Sequence, residues 1–189
     1  MQIDNDMASC LEVLESGGLI LYPTDTVWGI GCDATNEEAV EKIYRLKNRN
    51  VEKSMIILLA DEKEILKYVD HQRAPVFDFI KGISKPVTVI YSRAKNLAQN
   101  LVSKDGSIGI RLVSDPFCSQ LIKRFGKPVV STSSNISGYP PPALFGDIDI
   151  EIKSGVDYIV QHRQGDTVPA VPSTVIRLND DDSFSIIRS

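Results

Sequence analysis

Long apolar runs, cysteine and histidine are scarce in this 189-residue chain, and each scarcity excludes a class of protein. No apolar run approaches the roughly 20 residues that a membrane-spanning helix needs, and the acidic N-terminus lacks the apolar segment of a signal peptide. The sequence therefore predicts a cytoplasmic protein with no membrane part. The three cysteines, Cys10, Cys32 and Cys118, are scattered and odd in number, which argues against a disulfide framework or a zinc site.

Other features of phosphate-binding and nucleophilic enzymes are also missing. The two histidines, His71 and His162, lie near no candidate nucleophile. No Walker loop (Gly-x-x-x-x-Gly-Lys-Ser/Thr) occurs, and Gly29–Gly31 is not followed by the rest of a dinucleotide fingerprint. If phosphates bind, side-chain cations and loop hydroxyls must hold them. The formal net charge of −4 argues against tight, nonspecific nucleic-acid binding, although it leaves room for a local basic patch.

What is present fits one α/β domain spanning residues 1–189. The composition, 42% hydrophobic and 24% charged, is ordinary for a globular protein, and the length can bury one substantial core. Periodicity predicts helices near 7–15, 37–46, 62–69, 76–80 and 116–125, and strands near 19–22, 55–59, 87–91, 107–112, 129–130, 158–160, 175–178 and 184–187. Because they interleave too irregularly for a β-α-β series, we predict a twisted mixed sheet with flanking helices.

Two polar segments interrupt the apolar pattern early in the chain. Residues 22–29 leave a predicted buried strand as Tyr-Pro-Thr-Asp-Thr-Val-Trp-Gly, which suits either a ligand-binding turn or an ordinary proline-initiated turn. The second segment places Lys47, Arg49 and Lys53 where a predicted helix gives way to a strand. These cations could hold an anion, but taken alone the cluster is more typical of a solvated helix C-terminus.

Two further polar segments lie later in the chain. In residues 107–112, period-two alternation puts Ser107, Gly109 and Arg111 on one face of a strand, opposite three apolar side chains. An arginine beside small residues suits a carboxylate or phosphate, although it could equally pair with an internal acid. Residues 131–138 bring five hydroxyls and one amide directly after a buried strand, a common place for ligand-binding groups in α/β folds.

In their order and spacing these segments resemble the YrdC/TsaC family of threonylcarbamoyl-adenylate synthases. The matching pieces are Gly18-Leu19-Ile20-Leu21-Tyr22-Pro23-Thr24-Asp25-Thr26, Lys47-x-Arg49, Lys85-Pro86-Val87-Thr88, Gly109-Ile110-Arg111, residues 130–138 (Val-Ser-Thr-Ser-Ser-Asn-Ile-Ser-Gly) and Pro172-Ser173-Thr174-Val175-Ile176. The resemblance runs from about residue 8 to the C-terminus. It implies the YrdC-like fold, an open, twisted, mixed β-sheet with flanking helices around a large cleft.

The resemblance also implies a role for each matching position. Lys47 and Arg49 resemble the catalytic, phosphate-binding pair of the family, with Lys53 as a helper. If Lys47 lies in an open cleft, its replacement by Ala should weaken ATP binding and barely change thermal unfolding. The other implied ATP contacts are Ser107, Ser131, Ser133, Asn135 and Arg188. The implied threonine or carbamate contacts are Thr24, Arg111 and Ser173.

The activity implied by the resemblance needs no covalent nucleophile. L-Threonine and bicarbonate or CO2 would form a carbamate, which would attack ATP to give threonylcarbamoyl-AMP and pyrophosphate. Positioning and charge neutralisation dominate such transfers, so lysine, arginine, hydroxyls and Mg2+ would suffice, and no residue is assigned as a metal ligand. The product would pass to a downstream tRNA-modification enzyme.

Two alternatives stay open at this point. One is a paralogue of the same fold that uses a different amine or has lost the synthase activity. The other is a non-enzymatic RNA-binding or ribosome-associated module. The negative net charge and the lack of an aromatic-plus-basic RNA motif disfavour that module, so binding of tRNA or double-stranded RNA is expected to be weak and salt-sensitive.

Overall fold

Helices and strands alternate irregularly in the computed structural model, which describes residues 2–50, 55–70, 85–179, 181 and 183–189. Lys53 and the predicted helix at 76–80 lie outside the described residues. The described helices are α1 (Gln2–Glu15), α2 (Glu37–Leu46), α3 (Ile65–Tyr68), α4 (Pro116–Phe125) and α5 (Ile150–Ser154). The described strands are β1 (Ile20–Tyr22), β2 (Gly29–Gly31), β3 (Ile56–Leu59), β4 (Val87–Tyr91), β5 (Ile108–Leu112), β6 (Val129–Ser133), β7 (Tyr158–Ile159), β8 (Thr174–Leu178) and β9 (Phe184–Arg188).

Local chemistry fixes the ends of α2 and α4. The side chain of Asn36 accepts from the backbone N–H of Ala39 at 3.1 Å and so caps the N-terminus of α2. Asp115 caps α4 in the same way, 2.9 Å from the N–H of Cys118. Gly126 ends α4 in the left-handed conformation, with φ of 73°, which glycine adopts without a steric penalty.

The strands form one open, mixed sheet. Their order is β7-β1-β2-β6-β3-β5-β4-β8-β9, and the two outer strands each have a single neighbour. Three neighbouring pairs, β1/β7, β3/β5 and β4/β8, are parallel, and the other five are antiparallel. This arrangement confirms the predicted fold class. Strand β2 and helix α5 were not predicted, because each is too short for its periodicity to show.

The register of the central strands separates an apolar face from a polar one. A row of neighbouring residues, Ile57, Val89, Ile110 and Val130, is buried in the core. One position along β5, Arg111 pairs with Thr88 of β4, and both lie on the opposite face, where they line a cleft. The period-two prediction for β5 is therefore confirmed, and it explains how a continuous sheet presents a charged floor.

Candidate active site

A polar cleft of about 280 Å³ lies on the Arg111 face of the sheet. Strands β2, β3, β4, β5, β6, β8 and β9 and the segments between them supply its walls. The lining residues are Thr26, Val27, Trp28, Gly29, Arg49, Met55, Ile56, Thr88, Arg111, Ser131, Thr132, Ser133, Pro141, Pro172, Ser173, Val175 and Arg188. Three guanidinium groups and six hydroxyls therefore face the cleft, whereas no carboxylate is found in its lining within the described ranges. Such a surface suits an anionic ligand.

The predicted site residues divide between this lining and the structure behind it. Those that line the cleft are Arg49, Arg111, Ser131, Ser133, Ser173 and Arg188. Those placed behind or beside it are Thr24, Lys47, Ser107 and Asn135. The structure therefore brings six of the predicted site residues, which lie far apart in sequence, to one cleft, and it leaves four others outside the lining.

Arg111 forms the internal ion pair that the sequence left open as an alternative. Its Nη2 lies 3.1 Å from Oδ1 of Asp25, and both side chains are more than nine-tenths buried. The same Nη2 donates to Oγ1 of Thr24 at 3.3 Å. Its Nε has no hydrogen-bond partner among the described residues. Arg111 therefore forms a structural ion pair with Asp25, and its side chain, which lines the cleft, keeps one donor, Nε, without a partner among the described residues.

Thr24 lies beneath the cleft wall and organises the turn. Its Oγ1 donates to the carbonyl of Val27 at 2.9 Å and accepts from the backbone N–H of Thr26 at 3.0 Å. Thr24 is 1% exposed, whereas Thr26 lines the cleft. Because the Thr24 hydroxyl already bonds within the turn, Thr24 supports the cleft wall and does not contact a ligand directly.

A second hydroxyl pair lies on the β4/β8 side of the cleft. Oγ1 of Thr88 is 2.8 Å from Oγ of Ser173, and Arg188 donates to the Ser173 carbonyl from Nε at 3.3 Å and from Nη2 at 2.8 Å. Thr88 was missed as a site residue although its motif was noticed. The pairing that puts Thr88 directly opposite Arg111 is known from the sheet register, and no local sequence pattern indicates it.

Lys47 is buried behind the loop of residues 131–138 and does not line the cleft. Its Nζ donates to the carbonyl of Ser133 and, at 2.6 Å, to that of Asn135. The expectation of an open-cleft lysine is therefore wrong, because backbone carbonyls rather than solvent surround the ammonium group. Burial, followed by the nearby charge of Arg49, lowers the pKa of Lys47 to about 7. Lys47 thus ties the hydroxyl-rich loop to the end of α2.

The side chains of Ser107 and Asn135 also bond within the protein rather than lining the cleft. Ser107 precedes β5, and its Oγ donates to Oδ1 of Asp105 at 2.6 Å. Nδ2 of Asn135 donates to the carbonyls of Ile136, at 3.0 Å, and Tyr139, at 2.7 Å. Asn135 also lines a cavity of about 560 Å³ that shares Pro141 with the cleft. The loop therefore separates two adjoining spaces.

Arg49 reaches the cleft because the chain turns sharply after α2. Asn48 adopts a left-handed conformation with φ of 48°, which asparagine tolerates better than most residues. The following Arg49 is half-buried and lines the cleft, and burial lowers the pKa of its guanidinium. The cation cluster at this helix end is therefore divided between a buried lysine and a cleft-facing arginine.

The depressed pKa of Lys47 has a measurable effect on stability. Between pH 7 and its ordinary value of 10.5, the unfolded chain binds more protons at Lys47 than the folded chain does. Raising the pH should therefore stabilise wild type relative to Lys47→Met, by up to about 1.4 kcal/mol per pH unit. Urea unfolding of both proteins from pH 7 to pH 10 measures this difference. Parallel stability profiles would contradict the depressed pKa.

An open mixed sheet with an arginine- and hydroxyl-lined cleft defines an α/β anion-binding protein. Residues 12–189 match the profile of the Sua5/YciO/YrdC family, whose description is "Telomere recombination". The chain is 32% identical over 178 residues to threonylcarbamoyl-AMP synthase of Pseudoalteromonas translucida, covering 93% of this chain and 94% of that protein. It is also 32% identical to the Photobacterium profundum synthase, over 85% of this chain and 89% of that one. The chain belongs to the Sua5/YciO/YrdC family.

Solved structures confirm the fold. E. coli YciO superimposes with a TM-score of 0.84 at 25% identity, covering 100% of this chain and 90% of that one. P. abyssi Sua5 complexed with L-threonine gives a TM-score of 0.85 at 20% identity, and this chain spans about half of it, 54%. HypF in its phosphate- and nucleotide-bound form gives 0.82 at 22% identity, over 97% of this chain and 28% of that one.

Within the described ranges, no helix has both the length and the apolar character needed to cross a bilayer.

Proposed function

We propose that this chain is a threonylcarbamoyl-AMP synthase that uses L-threonine, bicarbonate or CO2, and ATP. The observation that carries the proposal is the arginine- and hydroxyl-lined cleft in a chain 32% identical, over 93% of its length, to a threonylcarbamoyl-AMP synthase. The complex of P. abyssi Sua5 with L-threonine supports threonine as the amino acid. The reaction places the protein among the nucleotidyltransferases.

The chemistry requires positioning and charge neutralisation rather than a nucleophilic side chain. The threonine amine adds to CO2 and loses a proton to give a carbamate. A carbamate oxygen forms a bond to the α-phosphorus as the bond from that phosphorus to the bridging pyrophosphate oxygen breaks. Arginines that face the cleft stabilise the negative charge on the departing pyrophosphate. A walled cleft also protects the labile product from water.

The two ends of the cleft divide the substrates between them. Arg49, Ser131 and Ser133 line the end beside the loop of residues 131–138, and there they bind the ATP phosphates. Arg111 lies close to Asp25 and Thr24, and its donors hold the carboxylate of threonine or its carbamate. The adjoining 560 Å³ cavity beside Asn135 receives the nucleoside part of ATP.

Magnesium belongs to the substrate in this proposal. Protein sites for Mg2+ normally use one or two carboxylates in addition to substrate phosphates. The described lining of the cleft contains hydroxyls and arginines but no carboxylate, so it does not fit an ion held by the protein itself. Mg2+ would therefore enter bound to the ATP phosphates.

The product implies a partner and a compartment. Because the carbamoyl-adenylate is labile, an enzyme that transfers the threonylcarbamoyl group to tRNA must consume it promptly. Such a pathway would operate in the cytoplasm. Direct contact of this chain with tRNA is expected to be weak, given its net charge of −4.

Pyrophosphate release tests the proposal and its main alternative together. Purified protein is incubated with ATP, Mg2+ and bicarbonate, and release is compared with threonine, with serine and with no amino acid. We expect threonine-dependent release of pyrophosphate rather than phosphate. Equal release in all three arms would refute the proposal, and release only with serine would favour a paralogue that uses a different amine.

A further inference from the structure

Arg163 stands out because its backbone and side chain are both unusually constrained. Its φ of 68° is left-handed, a conformation that costs a non-glycine residue free energy and persists only where surrounding contacts hold it. Its Nη1 donates to the carbonyl of Thr24 at 3.0 Å and to Oδ2 of Asp115 at 3.1 Å. Its Nε donates to Oδ2 of Asp166 at 2.7 Å. One side chain thus joins three separate segments.

Arg163 belongs to a mostly irregular segment that ends in the cleft wall. This segment, residues 160–173, is here called the strap. At its start, the backbone N–H groups of Gln161 and His162 each donate to Asp6 of α1 at 2.9 Å. At its end, Ser173 lines the cleft together with Pro172. The strap therefore connects a fixed anchor on α1 with a wall of the candidate active site.

Arg163 and Arg111 hold the same turn from two sides. Arg163 bonds the main-chain carbonyl of Thr24, while Arg111 bonds the Thr24 hydroxyl and pairs with Asp25. Asp115 fixes Arg163 to the N-terminus of α4, where it also caps the helix. The position of Arg111 in the cleft consequently depends on a turn whose other side is set by Arg163.

We propose that Arg163 is a positioning residue for the amino-acid end of the cleft, an inference that rests on the proposed synthase function. It fixes the Thr24 turn against α4, so that Arg111, which bonds the other side of that turn, faces the amino acid in a constant geometry. It touches neither substrate. Its loss misplaces the amino-acid contacts and leaves the phosphate end, around Arg49 and Ser133, in place.

The test is a comparison of steady-state kinetics for Arg163→Asn, Arg163→Lys and Asp166→Asn. Asparagine tolerates the left-handed backbone but cannot reach the three acceptors, so Arg163→Asn removes the contacts without adding strain. We expect its KM for threonine to rise roughly ten- to hundredfold, the scale of a small misplacement of reacting groups, with the KM for ATP within about twofold. Arg163→Lys should recover part of the loss, since lysine keeps the charge but not the fork of donors.

The matched control removes one contact from the same side chain. The side chain of Asp166 accepts from Nε of Arg163 and is 47% exposed, and the bonds from Nη1 to Thr24 and Asp115 do not involve it, so Asp166→Asn should leave both KM values close to wild type. An unchanged threonine KM in Arg163→Asn, or parallel losses for threonine and ATP that lysine does not repair, would overturn the inference. A wild-type protein without threonine-dependent turnover would instead remove the proposed function, and the inference with it.

Discussion

Arg111→Ala is expected to lower the free energy of unfolding by about 3–5 kcal/mol, because it leaves a buried carboxylate without its partner. The side chain of Arg111 is 4% exposed and that of Asp25 is 8% exposed, so little water can solvate the carboxylate of Asp25 once the guanidinium is gone. Urea unfolding measures the change. Asp25→Asn in the Arg111→Ala background is the control, and it should recover a large part of the loss by neutralising the orphaned acid.

A test of the ligand-binding role of Arg111 requires a substitution that keeps the positive charge. Arg111→Lys can still pair with Asp25, but a lysine lacks the planar fork of donors that binds a carboxylate through two parallel hydrogen bonds. We expect threonine use to fall far more than ATP binding, measured by threonine titration of activity and by calorimetry with ATP. A lysine variant that is folded and keeps the wild-type threonine response would limit Arg111 to its ion pair.

Arg49→Ala should weaken ATP binding by about 1.5–3 kcal/mol, or roughly 10- to 150-fold, because it removes charge-assisted hydrogen bonds to phosphate. Arg49 is half-buried and lines the cleft, so stability should change much less than in Arg111→Ala. Isothermal calorimetry with Mg2+ and ATP gives the affinity directly. If Arg49 is only a solvated cation at the end of α2, Arg49→Ala would leave the ATP affinity unchanged.

A matched arginine in the same region controls for general electrostatics. Arg45 is 78% exposed and pairs with Glu41 one turn earlier on α2, away from the cleft lining. Arg45→Ala changes the net charge by the same amount as Arg49→Ala. Only a local role predicts that ATP affinity falls in Arg49→Ala and stays near wild type in Arg45→Ala.

Much of the fold could be predicted because its signals are local. The two-residue alternation around Arg111 depends only on neighbours in sequence, and the structure confirms it. Each polar segment also contributes at least one residue to the cleft lining. Segments that follow a strand usually run over the surface, where binding residues are common.

The exact role of each polar side chain depended on distant contacts that no local pattern encodes. Lys47 is buried against carbonyls of residues 86 and 88 positions away. Its neighbours in sequence do not reveal these contacts and show only the pattern of a solvated helix end. The bond from Arg163 to Thr24 spans 139 positions, and nothing near Arg163 in sequence indicates it. The sequence could not show which of Thr24 and Thr26 lines the cleft, because the conformation of the turn decides which hydroxyl forms the internal hydrogen bonds.

The most direct test of the central claim is mass spectrometry of the nucleotide product made with isotopically heavy bicarbonate. The protein is incubated with L-threonine, Mg2+ and ATP in parallel with ordinary or heavy bicarbonate. The proposed reaction places the bicarbonate carbon between the threonine nitrogen and the adenylate, so a threonylcarbamoyl-AMP ion should appear only with threonine and shift to the heavier mass with the label. An adenylate that carries no bicarbonate carbon, or no adenylate at all from folded protein, would contradict the claim.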